Sequence, residues 1–215
     1  MHIIALANLK GGVGKSTLAV SIAGALSAGG DKAIALDADP QGTVTAWATP
    51  NALPFKVIPL PVTRGAKDWV SRALSVETDF LVVDLPPMLG DATAAALAIA
   101  DVAVVPVSPS GADLTATAGA LELIGRARAA RSSPRPFVVL VPSKVDRRTA
   151  AGAEIEAVLH DYGEPVGPVV SQRIAHADAF TAGQWIGDYA PGSAGHSEIK
   201  ALTSVVRRVA MRPNK

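Results

Sequence analysis

The sequence predicts an α/β protein built on a mainly parallel, twisted sheet with helices on both faces. Short apolar runs alternate with longer helix-like stretches from one end of the chain to the other. The runs are apolar at consecutive positions, which indicates strands that are covered on both sides. A hydrophobic fraction of 49% and a charged fraction of 18% are typical of such a fold and not of a disordered chain. At 215 residues we expect a single domain, residues 1–215.

The apolar runs and the stretches between them give the predicted elements in chain order. The predicted strands are His2–Asn8, Ala33–Asp37, Lys56–Pro59, Phe80–Asp84, Val102–Val107, Phe137–Val141 and Val166–Val170. The predicted helices are Lys15–Ala28, Thr43–Ala48, Ala66–Leu74, Asp91–Ala100, Leu114–Ala130, Ala150–Asp161, Ala175–Ala182 and Ser197–Met211. Because right-handed crossovers join parallel strands, the loops that follow the strands should share one edge of the sheet, where ligands bind.

Composition excludes several classes of site. The chain has no cysteine, which excludes disulfides and thiolate zinc sites, and its four histidines show no ligand spacing. A net charge of +1 means that any contact with nucleic acid must come from a local basic patch. The first strand lacks the basic flank of a secretion signal, and no stretch approaches the ~20 apolar residues that span a bilayer. We therefore expect a cytoplasmic protein.

A phosphate-binding loop joins the first strand to the first helix. Its residues are Lys10, Gly11, Gly12, Val13, Gly14, Lys15, Ser16 and Thr17. Glycines let backbone N–H groups wrap the β-phosphate, and the positive end of the helix that follows faces the same anion. In this pattern Lys15 reaches the β- and γ-phosphates, Ser16 binds Mg²⁺, and Thr17 contacts the α-phosphate. The sequence therefore predicts a P-loop nucleotide site.

A second lysine, Lys10, stands at the start of this loop, where a plain P-loop needs only Lys15. This pattern is that of the deviant Walker A family, the ParA/MinD ATPases, which the sequence resembles from end to end. The resemblance implies that Lys10 crosses a nucleotide-sandwich dimer to the partner's phosphates, so that the homodimer depends on ATP. The resemblance also implies catalytic roles for Lys10, Lys15 and Asp39.

Three carboxylates follow predicted strands. Asp37 and Asp39 belong to the segment Asp37-Ala38-Asp39-Pro40-Gln41, which matches the Asp-x-Asp-Pro-Gln motif of the family residue for residue. We expect Asp39 to hold the attacking water and Asp37 to support the Mg²⁺ shell. Asp84 ends an apolar strand in the Walker B pattern and should bind Mg²⁺ through a water. The alternative for each aspartate is a helix cap or a turn.

Pro142 and Ser143 directly follow the sixth predicted strand, where the resemblance places the adenine. The chain lacks the Asn-Lys-x-Asp pattern of GTPases, which favours ATP over GTP. No arginine is placed like an intrinsic arginine finger, so we expect slow hydrolysis until a partner protein completes the site.

The C-terminal region predicts the output of the ATP switch. ParA-like relatives bind nonspecific DNA through basic residues in this region, and the matching candidates here are Arg173, Lys200, Arg207 and Arg208. Binding of this kind is electrostatic, and a dimer doubles the phosphate contacts. A solvated basic surface is the alternative for each residue. The alternative output is a MinD-like membrane anchor, which needs large apolar residues opposite the cations, whereas the apolar face of the last helix is expected to cover the core.

Only nine residues precede Lys10, so we expect no helix-turn-helix domain for reading an operator. The chain in this respect resembles the small ParA type, such as ParF and the carboxysome-positioning McdA proteins. The resemblance implies a nucleoid-associated ATPase that works with an adaptor of the ParB, ParG or McdB type, which stimulates hydrolysis. The cargo, whether a plasmid, a chromosome region or a protein microcompartment, stays open.

Overall fold

A computed structural model describes residues 1–62, 65–88, 90–131 and 133–213. Within these ranges the strands are β1 His2–Leu6, β2 Ala33–Asp37, β3 Lys56–Pro59, β4 Phe80–Asp84, β5 Val102–Val107, β6 Phe137–Val145 and β7 Val170–Ser171. The helices are α1 Lys15–Ala28, α2 Thr43–Trp47, α3 Ala66–Leu74, α4 Asp91–Ile99, α5 Gly111–Ala129, α6 Ala150–His160, α7 Ile174–Ala182, α8 Ile186–Tyr189 and α9 Ala194–Ala210.

The described strands form one parallel sheet in the order β3-β2-β4-β1-β5-β6-β7. Successive side chains of a strand point to opposite faces, and β1 shows this directly. Ile4 and Leu6 join a core with α1, α2, α7, α8 and α9, whereas Ile3 and Ala5 join a core with α3, α4, α5 and α6. The predicted α/β fold, with helices on both faces of a parallel sheet, is confirmed.

The predicted bounds are right for β2, β3, β4 and β5 and wrong at the last strand. Val166 makes only an isolated bridge to Leu140, and β7 is instead Val170–Ser171. The segment between them contains Pro168, which has no N–H to donate to a ladder. β6 continues to Val145, four residues beyond its predicted end.

Two helices begin three residues before their predicted starts. Ser110 caps α5 by accepting a hydrogen bond from the Asp113 backbone N–H, and Ser193 caps α9 by accepting one from the His196 backbone N–H. Serine at these positions is a favoured start signal that apolar spacing alone does not reveal. A further short helix, α8, lies between the last two predicted helices, where no element was predicted. In the described part of the chain, no helix is long and apolar enough to cross a membrane.

Candidate nucleotide-binding site

The topology brings the predicted phosphate loop and the predicted carboxylates to one edge of the sheet. β1, which leads into the loop, lies between β4 and β5, and Leu6 is aligned with Asp84. Asp84 is in turn aligned with Asp37 on β2. The ends of three parallel strands therefore meet at the N-terminus of α1.

The loop backbone is shaped to receive an anion. Gly12 and Gly14 have φ values of 81° and 103°, a region that residues with a Cβ rarely adopt. The backbone N–H groups of residues 11–14 have no hydrogen-bond acceptor among the residues that the structure describes. α1 begins immediately afterwards and carries no acidic side chain in its first turn. Free amides and a helix N-terminus together form a site for a phosphate group.

Lys15 lies at the base of this loop with its charge nearly enclosed. Its side-chain Nζ donates a hydrogen bond of 3.0 Å to the carbonyl of Lys10, and the residue is only 6% exposed. Burial lowers the pKa of Lys15, and the nearby carboxylates of Asp84 and Asp39 oppose that shift. A buried cation with one neutral acceptor is well suited to a negatively charged ligand.

Lys10 is held by an ion pair within its own chain. Its Nζ lies 2.5 Å from Oδ1 of Asp113 in the first turn of α5, and the Asp113 side chain is 5% exposed. Ser108 donates a hydrogen bond of 2.6 Å to the other carboxylate oxygen. Burial alone would raise the pKa of Asp113, but hydrogen bonds from Lys10, Ser108 and Ser110 outweigh it and the pKa is lowered. The Lys10 ammonium is therefore fixed towards α5.

Asp84 and Ser16 form a pair that fits a divalent cation. The Ser16 hydroxyl donates a hydrogen bond of 2.6 Å to Asp84 Oδ2, while Oδ1 is buried and has no partner among the described residues. Burial raises the pKa of Asp84 to about 7, with smaller opposing effects from Ser16 and Lys15 and a further raising effect from Asp37. An orphaned carboxylate oxygen beside a hydroxyl is a donor set that Mg²⁺ prefers.

Asp37 and Asp39 lie near this pair but have different surroundings. Asp37 is buried, and its Oδ2 accepts hydrogen bonds of 2.8 Å and 2.7 Å from the backbone and hydroxyl of Thr45. Asp39 is half-buried, accepts a hydrogen bond from the Gln41 backbone, and acts electrostatically on the pKa of Lys15. Asp37 thus fixes the start of α2, while Asp39 lies close enough to the phosphate loop to act electrostatically on Lys15.

A cavity of about 1200 Å³ adjoins the loop. Its wall includes Gly14 and Thr17 from the loop, Ser143 from β6, and residues of β7 and α7. Ser143 packs so closely on the loop that a Cβ at Gly14 would lie 2.8 Å from its hydroxyl. Pro142 is buried in β6 and paired with Val107, so of the two predicted adenine contacts only Ser143 reaches the wall.

The predicted DNA-binding residues do not form one cluster. Arg173 lines the cavity and pairs with Glu198 at 2.7 Å. Lys200 and Arg207 instead lie beside a separate small cavity of about 250 Å³ between α1 and α9, where Arg207 pairs with Asp31 at 2.8 Å. Arg208 is exposed on the same helix.

Two residues of the site were not predicted from the sequence. Asn8 is buried, donates to the carbonyl of Pro106 at 2.8 Å and accepts from the backbone N–H of Lys10 at 3.1 Å, so it fixes the loop entrance. Asp113 anchors the Lys10 ammonium. Asn8 could have been predicted as a site residue, because a polar side chain at the end of an apolar run is a recognisable signal. From the sequence, Asp113 could be predicted only as a residue of a helix start. Its contact with Lys10 spans about 100 positions, so local pattern does not reveal it.

The Asp84 carboxyl gives a pH-dependent prediction. Because its pKa is raised to about 7 in the folded protein and is near 4 when unfolded, the unfolded chain releases this proton first as the pH rises. The free energy of unfolding should therefore fall between about pH 4 and pH 7. Asp84→Asn should match the wild type near pH 4 and exceed it by up to about 4 kcal/mol at pH 8, measured by urea unfolding without Mg²⁺.

The exposed Asp68 of α3 provides the control, since Asp68→Asn removes the same charge at a solvated position. We expect Asp68→Asn to show no comparable change between the two pH values. A stabilisation of Asp84→Asn that is equal at pH 4 and pH 8 would contradict the ionisation argument.

Comparisons with known proteins identify relatives along nearly the whole chain. Residues 4–185 match the family described as the CobQ/CobB/MinD/ParA nucleotide binding domain. The chain is 32% identical to the chromosome-partitioning ATPase Soj of Thermus thermophilus, with 96% of each chain covered. It is 29% identical to the maintenance of carboxysome distribution protein A of Halothiobacillus neapolitanus, covering 96% of this chain and 95% of the relative.

Solved structures agree on the fold. A variant of Cyanothece McdA in complex with ATP has a TM-score of 0.78 at 18% identity, covering 100% of this chain and 98% of that chain. The septum site-determining protein MinD of Pyrococcus horikoshii, complexed with Mg-ADP, has a TM-score of 0.77 at 19% identity, covering 98% and 97%. At these identities the likeness establishes a shared architecture.

Proposed function

The chain belongs to the CobQ/CobB/MinD/ParA nucleotide binding domain family, and on that premise we propose that it is a ParA-type positioning ATPase. In this proposal it binds Mg·ATP, forms an ATP-dependent homodimer, and holds nonspecific DNA until a partner protein stimulates hydrolysis. The similarity to Soj and to a carboxysome distribution protein over nearly the full chain supports the general class. In this proposal, the partner protein determines which cargo is positioned.

The site residues have defined tasks in this proposal. The free amides of residues 11–14 and the N-terminus of α1 bind the β-phosphate, Lys15 bridges the β- and γ-phosphates, and Thr17 contacts the α-phosphate. Ser16 and Asp84 would hold Mg²⁺, with Asp37 supporting that shell, and the ion supplies neutralisation of the phosphate charge. Asp39 orients the attacking water, and Ser143, with Pro142 behind it, borders the base.

The homodimer in this proposal depends on a movement of Lys10. Its ammonium now pairs with Asp113, and its side chain is 40% exposed, so the group can leave the pair without unfolding the loop. Facing phosphates on a second copy offer a stronger anion than one carboxylate. In this proposal no arginine of the chain stabilises the phosphoryl group as it is transferred. Hydrolysis is therefore slow until the partner protein binds.

The DNA-binding part of the proposal is supported mainly by the residues on the exposed side of α9. All of α9 is described, and its exposed residues are Ala194, Ser197, Lys200, Ala201, Ser204, Arg207 and Arg208. They recur three or four positions apart and so form one continuous stripe. The stripe contains three cations and no carboxylate, and its other members are small enough to let a DNA backbone approach.

The same helix argues against a membrane output. Its large apolar residues Ile199, Leu202, Val206 and Val209 are buried against the sheet, where they form part of the core. An interfacial anchor needs such residues on the face that meets the lipid. The proposed output is therefore DNA binding, and membrane binding is the alternative that the experiment distinguishes from it.

The test is binding to a random-sequence DNA duplex with no nucleotide, with ADP, with ATP and with a slowly hydrolysed ATP analogue, at two salt concentrations. We expect binding only with ATP or its analogue, falling steeply with salt because phosphate contacts release counterions. A variant with Lys200, Arg207 and Arg208 all changed to alanine should reduce the salt slope by about 3 per protomer, near 1 for each lost phosphate contact.

The matched control changes Lys67, Arg72 and Arg126 to alanine, which removes the same charge from α3 and α5 on the opposite face of the sheet. This variant should keep the wild-type salt slope. Absence of DNA binding in every nucleotide state, together with binding to anionic vesicles, would overturn the DNA output in favour of the membrane one.

A further inference from the structure

Glu198, on the second turn of α9, makes an unusual number of contacts with the edge of the sheet. Its carboxylate accepts hydrogen bonds of 3.0 Å and 2.8 Å from the backbone N–H and the hydroxyl of Ser171. It accepts two more, of 3.4 Å and 2.7 Å, from Nε and Nη2 of Arg173. The side chain is 20% exposed. Burial opposes ionisation, but these donors outweigh it and lower the pKa of Glu198, so the contact is that of a charged carboxylate.

The edge strand depends on this carboxylate for its position. β7 has only two residues, and its register against β6 shifts between Ser143 and Val145. At the outer side of an edge strand the N–H groups have no neighbouring strand as acceptor. Glu198 takes that place for Ser171. A short, irregularly paired strand is thereby fixed by a helix and not by the sheet alone.

The two sides of this contact face the two functional regions. Ser171 and Arg173 line the 1200 Å³ cavity together with Gly14 of the phosphate loop. Ser143, which pairs with Val170 of β7, packs directly on that loop. On the other side, Glu198 belongs to the helix that carries the Lys200, Arg207 and Arg208 stripe. One carboxylate therefore joins the wall of the nucleotide cavity to the basic face.

We propose that Glu198 is a positioning residue that transmits nucleotide occupancy of the cavity to the basic stripe of α9. The Arg173 guanidinium can bind either the Glu198 carboxylate or a polar group of a nucleotide in the cavity, because it borders both. Drawing Arg173 towards the nucleotide weakens its hold on Glu198 and changes the anchoring of β7 and α9 together. A ligand shifts an equilibrium only through contacts that differ between two states, and Arg173 provides that difference.

This inference rests on the proposed function, since it concerns the ATP dependence of DNA binding. The test variant is Glu198→Gln, which keeps the size and one acceptor but loses the charge that holds Arg173. The readout is the ratio of duplex DNA affinity with the slowly hydrolysed ATP analogue to that without nucleotide. We expect this ratio to fall by about tenfold relative to the wild type, while affinity for a fluorescent ATP analogue changes by less than about threefold.

Asp31→Asn is the matched control. Asp31 also forms a two-point contact with an arginine of α9, Arg207, but lies beside the small cavity between α1 and α9 and not beside the loop. Its loss should raise DNA affinity similarly in all nucleotide states and leave the ratio unchanged. A merely structural or general electrostatic role for Glu198 would make the two variants behave alike.

The outcomes separate the two claims. A wild-type ratio near one rejects the proposed DNA output and the coupling with it. A high wild-type ratio that Glu198→Gln retains, or that Asp31→Asn lowers equally, overturns the coupling alone. Should Glu198→Gln fail to fold, Ser171→Ala carries the same test, because it removes one of the four bonds and keeps the charge pair. It should lower the ratio by a smaller factor, and a wild-type ratio in this variant would then overturn the proposal.

Discussion

Lys15→Ala should weaken ATP binding by at least about 100-fold, which corresponds to about 3 kcal/mol of lost charge-assisted hydrogen bonding. Lys15 is 6% exposed, and among the described residues its ammonium has one neutral acceptor, the Lys10 carbonyl, so its charge is poorly compensated until phosphates arrive. The measurement is titration of a fluorescent ATP analogue in the presence of Mg²⁺. Because burial lowers the pKa of Lys15, removing the charge should not reduce the stability of the nucleotide-free protein.

Two controls accompany this variant. Thermal unfolding without nucleotide should show a melting temperature equal to or above that of the wild type, which separates loss of binding from loss of fold. Lys144→Ala removes the same charge from an exposed position on the cavity wall. If Lys144→Ala weakened ATP binding as much as Lys15→Ala, a general electrostatic effect would replace the direct phosphate contact.

Lys10→Ala should bind ATP with wild-type affinity and remain monomeric at concentrations where the proposed function predicts that the wild type dimerises. The Lys10 ammonium contacts α5 and not the loop amides, so its removal leaves the phosphate site of its own chain unchanged. Removal of the cation leaves the facing phosphates of a second copy without a partner, which should weaken the ATP-dependent dimer by at least about tenfold. Light scattering with ATP and with ADP measures this.

Asp113→Asn distinguishes a crossing cation from a structural ion pair. Both variants break the contact between Lys10 and Asp113, but only Lys10→Ala removes the cation. Asp113→Asn keeps the Ser108 contact through its side-chain oxygen and should still form an ATP-dependent dimer. Monomeric Asp113→Asn with normal ATP binding would mean that the pair itself organises the dimer face, and the crossing role of Lys10 would be wrong.

Much of the fold was readable because each buried strand is a short apolar run with a clear stop. Ala33–Asp37 and Phe80–Asp84 have the predicted bounds, since each is apolar throughout and ends in an aspartate. β7 was misplaced because proline and glycine interrupt its run and a distant helix, through Glu198, decides where pairing occurs. Local pattern carries no information on that contact.

The site divides in the same way. Loop residues 10–17 were predicted as a unit because glycine spacing, the lysine and the hydroxyls are contiguous in sequence and act through backbone geometry. Three features of the site could not be predicted from the sequence. They are the ion-pair partner of Lys10, the contacts of Asp37 with Thr45, and the position of Arg173 on the cavity wall. Each joins side chains from separate elements, and the pairing depends on how the helices pack.

Local sequence is enough to predict the α/β class, the strand–loop–helix that can bind phosphate, and the residue types available for Mg²⁺ and for a basic surface. These follow from local backbone preference, periodic apolar burial and contiguous motifs, which depend on neighbours in the chain. The folded structure was needed to reveal the strand order that aligns Asp37 with Asp84, the Lys10–Asp113 pair, and the contacts of Glu198 that join the cavity wall to α9. Those arrangements depend on non-local packing, because a charged group that becomes buried is stable only when another element supplies a partner for it.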